Sequence, residues 1–286
     1  MKPSGPFDAS HSALGKQVLY RDTYAPELLF PIARQDQRSK IGLHDSALPF
    51  IGEDLWNAYE LSWLDPRGKP VVALARFRVP ASSPNLIESK SLKLYLNAFN
   101  QERMSGVNAV HATIANDLSA IAGEAVRVEI LPLDGRLMRR IKDPEGFCLD
   151  SLDIDIDTYR LCPDVLRTSG ERVTETLYTH LLKSNCPVTR QPDWGMLAVR
   201  YTGPTIERAG LLRYIVSFRQ HDEFHEHCVE RIFCDILERC RPTDLAVCAR
   251  YTRRGGLDIN PFRATPPENG REGFIDWNEF DSEIRQ

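Results

Sequence analysis

Hydrophobic residues in the first half of the chain follow a strand pattern and then a helix pattern. Residues 55–64 and 71–79 are rich in aliphatic and aromatic side chains and flank a Pro66-Arg67-Gly68 turn, which predicts a β-hairpin. The segment Pro80–Pro84 ends the strand pattern. Apolar residues then take the i, i+3, i+4, i+7 spacing of an amphipathic helix at Leu92, Tyr95, Leu96 and Phe99.

The second half of the chain repeats this order of predicted elements. The first half continues with a helix over 110–121, closed by Gly123, and a strand over 126–130. The second half has strands at 173–184 and 196–202, helices at 209–220 and 225–240, and strands at 245–251 and 257–262. The order ββααββ predicts an α+β fold in which helices pack on one face of an antiparallel sheet.

Direct similarity between the halves supports a duplication. Four residues recur 119 positions later: Glu88, Leu92, Tyr95 and Phe99 as Glu207, Leu211, Tyr214 and Phe218. Continued without a gap, this register places Val110 on Val229, Leu118 on Leu237 and Val128 on Val247. We divide the chain into an N-terminal arm (1–45), a first module (46–133), a connection (134–170) and a second module (171–286).

Composition limits the location and the partners. The net charge of −4 provides no basic field for nucleic acid, and no apolar run is long enough to span a bilayer. The first residues lack the apolar core of a secretion signal. Seven cysteines, an odd number without a CxxC pair, favour reduced thiols in the cytoplasm.

Cys186 is the first candidate for chemistry, because it is predicted at the end of a strand, in a polar loop before Pro187. A nucleophilic thiol needs access and a stabilised thiolate, since the free side chain has a pKa of about 8.5. Asp193, seven positions further on, can return to the same site as a proton carrier. The alternative is that Cys186 is one buried thiol among seven.

Two more clusters lie at predicted helix starts. His225 and Glu226 can pass protons and accept from the donor edge of a heterocycle, although a solvated acidic helix start explains the same residues. A metal site formed by His221, His225 and His227 would lack an HExxH or CxxC motif. The string Glu88-Ser89-Lys90-Ser91-Leu92-Lys93 suits a phosphate, although a capped helix with a solvated basic face has the same pattern.

The segment Arg253-Arg254-Gly255-Gly256 is most simply a hairpin turn, and its arginines can also bind phosphate. The chain has no GxGxxG fingerprint, so a dinucleotide would not be held in the Rossmann manner.

Together these clusters resemble the NADPH-dependent 7-cyano-7-deazaguanine reductases, the QueF-type nitrile reductases, in their long two-module form. The resemblance covers the chain from about residue 15 onward. It rests on Glu88–Tyr95, on Cys186-Pro187-Val188-Thr189 with Asp193, and on Phe224-His225-Glu226. It implies tandem tunnelling-fold (T-fold) modules, which agrees with the ββααββ order.

The resemblance also implies roles. Cys186 would form a covalent thioimide with the nitrile carbon, Asp193 would protonate the nitrile nitrogen, and His225 would assist catalysis. Two NADPH molecules would deliver hydrides in turn, without a metal, in queuosine synthesis for transfer RNA. The implied substrate contacts are Ile87, Glu88, Ser89, His225 and Glu226. The implied NADPH contacts are Ser89, Lys90, Arg254 and Gly255. The implied partners are a free deazapurine base and a second copy of the chain in a homodimer, with no direct contact with nucleic acid or a membrane.

Two other functions stay open from the sequence. One is a zinc-dependent T-fold enzyme acting on a pterin or purine nucleotide, which would carry stoichiometric zinc. The other is a non-catalytic purine-binding module, for which Cys186 would be dispensable. Cys228 lies two residues after Glu226, so a protective disulfide with Cys186 is a further hypothesis.

Overall fold

The computed structural model describes residues 20–133, 141–267, 274 and 285–286. The chain forms two compact units. The first comprises Met1–Leu48, Asp54–Met138 and Arg253–Asp258, and the second comprises Pro49–Glu53, Arg139–Thr252 and Ile259–Gln286. The four segments predicted from the sequence stay a prediction.

The first unit contains the hairpin and the helix pair predicted for the first half. Its elements in chain order are β1 (Pro31–Ala33), α1 (Gln35–Arg38), β2 (Ile51–Leu64), β3 (Pro70–Pro80), β4 (Asn85–Ile87), α2 (Ser89–Asn97), α3 (Val107–Ala122) and β5 (Arg127–Pro132). The first three residues of β2 belong to the second unit. Three strands follow the order β5-β3-β2, while β1 and β4 form a separate pair.

The second unit contains the complete ββααββ order. Its elements are β6 (Phe147–Cys148), β7 (Thr168–Asn185), β8 (Pro192–Ile206), α4 (Arg208–Val216), α5 (His225–Cys240), β9 (Asp244–Tyr251) and β10 (Leu257–Ala264). The first two residues of β10 belong to the first unit. The strand order is β10-β9-β8-β7-β6. The pairs β10–β9, β9–β8 and β8–β7 are antiparallel, whereas β6 runs parallel to β7.

The helix α5 buries one apolar face against β8 and β9. That face has the spacing of an amphipathic helix and consists of Val229, Ile232, Phe233, Ile236 and Cys240. The facing strand β9 is buried from Leu245 to Tyr251. The predicted α+β fold is therefore confirmed in this unit, and the packing fixes the start of α5 relative to the sheet. No helix in the described part of the chain is long and apolar enough to cross a membrane.

The two copies keep the predicted spacing in their first helices and in one strand. The helices α2 and α4 begin 119 residues apart. Val128 pairs with Phe77 of β3, and Val247 pairs with Val199 of β8. Phe77 and Val199 occupy the same position in their strands, because each lies seven residues after the proline at which the strand begins. The predicted match of Val128 with Val247 is therefore confirmed.

The spacing changes by one residue across the second helix of each copy. Helix α5 begins 118 residues after α3 begins, and it ends 118 residues after α3 ends. The spacing is one residue shorter than 119 because nine residues separate α2 from α3 and only eight separate α4 from α5. The buried residues Val110, Ile114, Leu118 and Ala122 consequently correspond to Cys228, Ile232, Ile236 and Cys240. The predicted matches of Val110 with Val229 and of Leu118 with Leu237 are wrong by one position.

The described part of the predicted N-terminal arm, from residue 20 onward, contains regular elements and buried charged side chains. Strand β1 pairs with β4, and both Arg34 and Arg38 are fully buried. The Arg34 guanidinium lies 2.6 Å from the Asp54 carboxylate, and Arg38 donates to the Ala81 carbonyl over 2.7 Å. The polar sequence of this segment does not predict the burial of Arg34 and Arg38. An arginine is buried only where the tertiary structure provides acceptors for its N–H donors.

Candidate active site

Cys186 lies at the end of a strand, as the sequence predicts, in the loop that joins β7 to β8. The Cys186 N–H donates to the Gln191 carbonyl, and the Arg190 N–H donates to the Cys186 carbonyl, both over 2.9 Å. Arg190 adopts the left-handed conformation, with φ 56°, which closes the loop. Cys186 is only half-buried, so it is not one of the core thiols.

Four other cysteines are kept as neutral thiols by burial. Burial raises the pKa of Cys234 to about 12 and the pKa of Cys240 to about 11, and it also raises the pKa of Cys248. Burial and then the Glu223 carboxylate raise the pKa of Cys228 well above its ordinary value. These four thiols are poor nucleophiles at neutral pH. All seven cysteines are free in the structure, and the disulfide between Cys228 and Cys186 stays a hypothesis.

Asn185 ties the end of β7 to the segment that precedes α5. Its N–H donates to the His221 carbonyl over 2.9 Å, and its carbonyl accepts from the Glu223 N–H over 3.0 Å. The first unit has the same arrangement, in which Leu64 bonds to Glu102 and Met104. The duplicated backbone therefore places the end of the hairpin, and with it Cys186, beside the segment that leads into α5.

The structure brings Asp193 and His225 together. Asp193 is the second residue of β8, is 4 % exposed and pairs with Ser184 across the ladder. His225 is the first residue of α5, and its Nε2 lies 3.4 Å from Oδ2 of Asp193. A buried carboxyl group beside an imidazole can hold and pass a proton. The predicted return of Asp193 to the site of Cys186 stays a prediction.

Glu226 follows His225 in the first turn of α5 and is 3 % exposed. Burial of this carboxylate differs from the solvated helix start considered from the sequence. A carboxylate near a helix N-terminus is favoured by the backbone dipole, which offsets part of the cost of its burial. Whether Glu226 accepts hydrogen bonds from the donor edge of a bound heterocycle stays a prediction.

Glu223 is a buried carboxylate that the sequence did not indicate. Its two oxygens accept from the Arg231 guanidinium over 2.9 and 2.8 Å, and His221 Nε2 lies 2.9 Å away. Burial by itself would raise the pKa of Glu223, but the bonds from His221 and Arg231 outweigh it and lower the pKa to about 2. The spacing of eight residues between Glu223 and Arg231 belongs to no recognised motif, so only the fold reveals the pair.

In the first unit, Glu88 caps the helix that begins at Ser89. Its carboxylate accepts from the N–H groups of Lys90 and Ser91, each over 2.8 Å, and it is 1 % exposed. Burial raises the pKa of Glu88 despite these bonds. The preceding residue, Ile87, ends β4 and is also buried. The predicted helix cap is confirmed, whereas Lys90 and Lys93 are half-buried and do not form a fully solvated basic face. The predicted contact with substrate is untested.

The turn before β10 lies in the same unit as Glu88 and Lys90. The Arg254 N–H donates to the Leu257 carbonyl over 2.8 Å, and Gly255 and Gly256 have φ of 60° and 82°. A Cβ on Gly255 would lie 3.1 Å from Nζ of Lys93, which belongs to α2. The structure thus places the turn that contains two predicted cofactor residues against the helix that contains the other two, although they are far apart in sequence.

Metal ligation finds no support in the part of the chain that is described. No group of three or more His, Cys, Asp or Glu side chains there is arranged to hold a metal ion. His221 and His225, considered as possible ligands from the sequence, face Glu223 and Asp193 respectively.

Two protein families match most of the described chain. Residues 20–130 match the family described as "Nitrile reductase, 7-cyano-7-deazaguanine-reductase N-term", and residues 192–269 match the family described as "QueF-like protein". The α+β architecture and these two matches define a nitrile reductase built from two family domains.

Curated relatives agree over nearly the full length. Proteins named NADPH-dependent 7-cyano-7-deazaguanine reductase match at 70 % identity in Azoarcus sp. (strain BH72), covering 90 % of this chain and 92 % of the relative, and at 63 % in Aromatoleum aromaticum, covering 93 % and 95 %. The protein of that name in Dechloromonas aromatica is 62 % identical, covering 93 % and 96 %. The chain belongs to the family of NADPH-dependent 7-cyano-7-deazaguanine reductases, which confirms the resemblance found in the sequence.

Proposed function

We propose that this protein reduces the nitrile of 7-cyano-7-deazaguanine to an aminomethyl group, with NADPH as co-substrate, as a step in queuosine synthesis. As a member of its family, the chain is an oxidoreductase that acts on a nitrile. The observation that carries the proposal is the half-buried Cys186 at a strand end, with the buried Asp193 on the adjoining strand beside the half-buried His225 of α5. The comparisons favour this activity over a zinc-dependent T-fold enzyme.

In the proposed first step, the Cys186 thiolate attacks the nitrile carbon, and a carbon–sulfur bond forms as one carbon–nitrogen π bond opens toward nitrogen. The nitrogen takes a proton from Asp193, which gives a neutral thioimide. The Asp193 carboxyl group is suited to this task because it is buried next to His225, which can return a proton to it.

The reduction then needs two hydrides, which NADPH supplies. Cys186 leaves when its carbon–sulfur bond breaks after the first hydride has arrived, so the thiolate is regenerated. Residues of the first unit fit the phosphates of such a co-substrate, since Lys93 on α2 lies against Gly255 of the turn, and Lys90 is on the same helix. We assign Ser89, Lys90, Arg254 and Gly255 to NADPH.

We assign the deazaguanine ring to two sets of residues, each within its own unit. Glu226 and His225 are the set in the second unit, and Ile87, Glu88 and Ser89 are the set in the first. A carboxylate is a suitable partner for the ring N–H and amino donors of a guanine-like base. We further propose that the enzyme is cytoplasmic, that it acts on the free base and that it forms a homodimer. Light scattering tests the homodimer by measuring the mass of the protein in solution.

The test of the covalent step is the intact mass of the protein after incubation with the nitrile base in the absence of NADPH. We expect a mass increase equal to the base for the wild type and none for Cys186→Ala. Cys162→Ala is the matched control, because Cys162 is also half-buried, and it should form the adduct. A wild type that binds the base without any adduct would refute covalent catalysis.

A further inference from the structure

Tyr251 contacts the ring of His225 and has no role in the mechanism above. The two ring centroids are 4.0 Å apart, with an angle of 40° between the ring planes. Tyr251 is the last residue of β9 and is 1 % exposed. Burial is the main reason why the pKa of Tyr251 is raised well above its ordinary value, so its phenol is neutral. One face of the His225 imidazole is therefore covered by a buried aromatic ring.

Gly195 provides the room for that ring. Gly195 and Tyr251 are paired across the β8–β9 ladder, so Tyr251 projects to the sheet face on which a Gly195 side chain would lie. Asp193 lies two residues before Gly195 on β8, so its side chain projects to that same face. A Cβ on Gly195 would lie 3.2 Å from Cδ1 of Tyr251, which is closer than an ordinary van der Waals contact. That Cβ would also lie 3.1 Å from the Arg250 carbonyl oxygen, so the Tyr251 ring or the neighbouring backbone would have to shift by a few tenths of an ångström.

The His225 side chain needs an external support to keep one orientation. It extends from the first residue of α5, and the residue before it, Phe224, makes no side-chain cap. A histidine at a helix start has several accessible rotamers, and fixing one of them costs conformational entropy. In the structure the imidazole has the Tyr251 ring against it and the Asp193 carboxylate 3.4 Å from its Nε2.

We propose that Tyr251 is a positioning residue whose ring, given room by Gly195, holds the His225 imidazole in the orientation that faces Asp193. The inference rests on the proposed function, in which Asp193 delivers the proton to the nitrile nitrogen. The ring is the part of Tyr251 that matters, because the contact with His225 is made between the two rings.

The kinetic test compares Tyr251→Leu with Tyr251→Phe. Without the ring, we expect the rate of thioimide formation at saturating base to fall by about tenfold to a hundredfold, because a misplaced proton donor slows the step while the base still binds. Phenylalanine keeps the ring and should retain the rate within about threefold. Tyr201→Leu is the control for loss of a buried tyrosine elsewhere in the sheet, and it should lower the melting temperature without this loss of rate.

A spectroscopic test does not require the reaction. The Tyr251 ring current should shift the His225 ring protons in the NMR spectrum, with His225→Asn identifying their signals. The shift should persist in Tyr251→Phe and be lost in Tyr251→Leu. In Gly195→Ala, where the added Cβ crowds the tyrosine ring, it should be reduced. If Tyr251→Leu does not fold, the reduced shift expected in Gly195→Ala still tests the contact between the two rings.

The outcomes separate this inference from the proposed function. If Tyr251→Phe loses as much rate as Tyr251→Leu, or if a folded Tyr251→Leu keeps the wild-type rate, the positioning role is wrong and covalent catalysis stands. If the wild type forms no adduct, the proposed function is wrong. The ring-current shift then decides the positioning by itself, and a His225 signal unchanged in Tyr251→Leu would overturn it.

Discussion

At the scale of single residues, two buried carboxylates of the second unit are each matched by an arginine. Glu230 and Arg263 are both fully buried and lie 2.8 Å apart, and Glu223 receives two bonds from Arg231. Burying one charge alone would cost several kcal/mol, so each of these residues depends on its partner. Glu223 also bonds through its N–H to Asn185, which links this charge pair to the hairpin that ends at Cys186.

Glu223→Gln tests the charge pair through its pH dependence. The pKa of Glu223 is lowered to about 2 in the folded protein, so its contribution to stability is present above the ordinary carboxyl pKa. That contribution is lost as the pH falls from about 4.5 toward about 2. At neutral pH the variant should be less stable by about 3 kcal/mol, because Arg231 loses its partner.

Denaturant unfolding at several pH values measures both effects. The stability of Glu223→Gln should fall less steeply than that of the wild type over this acid range. Glu238→Gln is the control, because Glu238 is exposed on the same helix. A steep acid loss that persists in Glu223→Gln would show that other groups cause it.

At the scale of elements, the turn between β9 and β10 is built on glycine. Gly256 has φ 82°, and a Cβ there would lie 2.5 Å from Cδ of Glu60 on β2. Its carbonyl also accepts from the Tyr59 N–H over 2.9 Å. The backbone conformation of this turn therefore positions the neighbouring Arg254 and Gly255, which we assign to NADPH.

Gly256→Ala should distort that turn. A left-handed conformation costs a residue with a Cβ about 1–2 kcal/mol, and the end of the Glu60 side chain must also move. We expect a melting temperature lower by a few degrees and a raised KM for NADPH with a smaller change in kcat. Gly170→Ala is the matched control, because a Cβ at Gly170 meets nothing within 4 Å. An unchanged KM in a folded Gly256→Ala would count against the assignment of this turn to the co-substrate.

At the scale of the whole molecule, a duplicated scaffold has acquired different polar residues in its two copies. Glu88 is buried and caps α2, whereas its counterpart Glu207 is exposed and makes no side-chain cap on α4. The hydrogen bonds that join each hairpin end to the following helix segment are nevertheless the same in both copies. The backbone was thus retained while the chemistry of the copies diverged.

The overall reaction of the molecule sets a stoichiometry. A nitrile gains four electrons when it becomes an amine, and each NADPH provides two of them, so two NADPH should be oxidised for every base consumed. Loss of NADPH absorbance with a limiting amount of base, together with mass analysis of the product, measures this ratio. Cys186→Ala should show no base-dependent loss. A ratio of one, with an imine or aldehyde as the end product, would contradict the proposed reaction.

The sequence by itself determined the order and approximate bounds of the strands and helices, the duplication, the position of Cys186 at a strand end and the family. These features depend on residues close together in the chain, whose spacing of two or 3.6 residues per repeat is visible directly. The tertiary structure alone decided the one-residue slip of α5, the burial of Arg34 and Arg38, the pairing of Glu223 with Arg231 and the contacts of His225 with Asp193 and Tyr251. Such contacts depend on loop length, strand register and satisfied buried charges, and none of these leaves a periodic signal in the sequence.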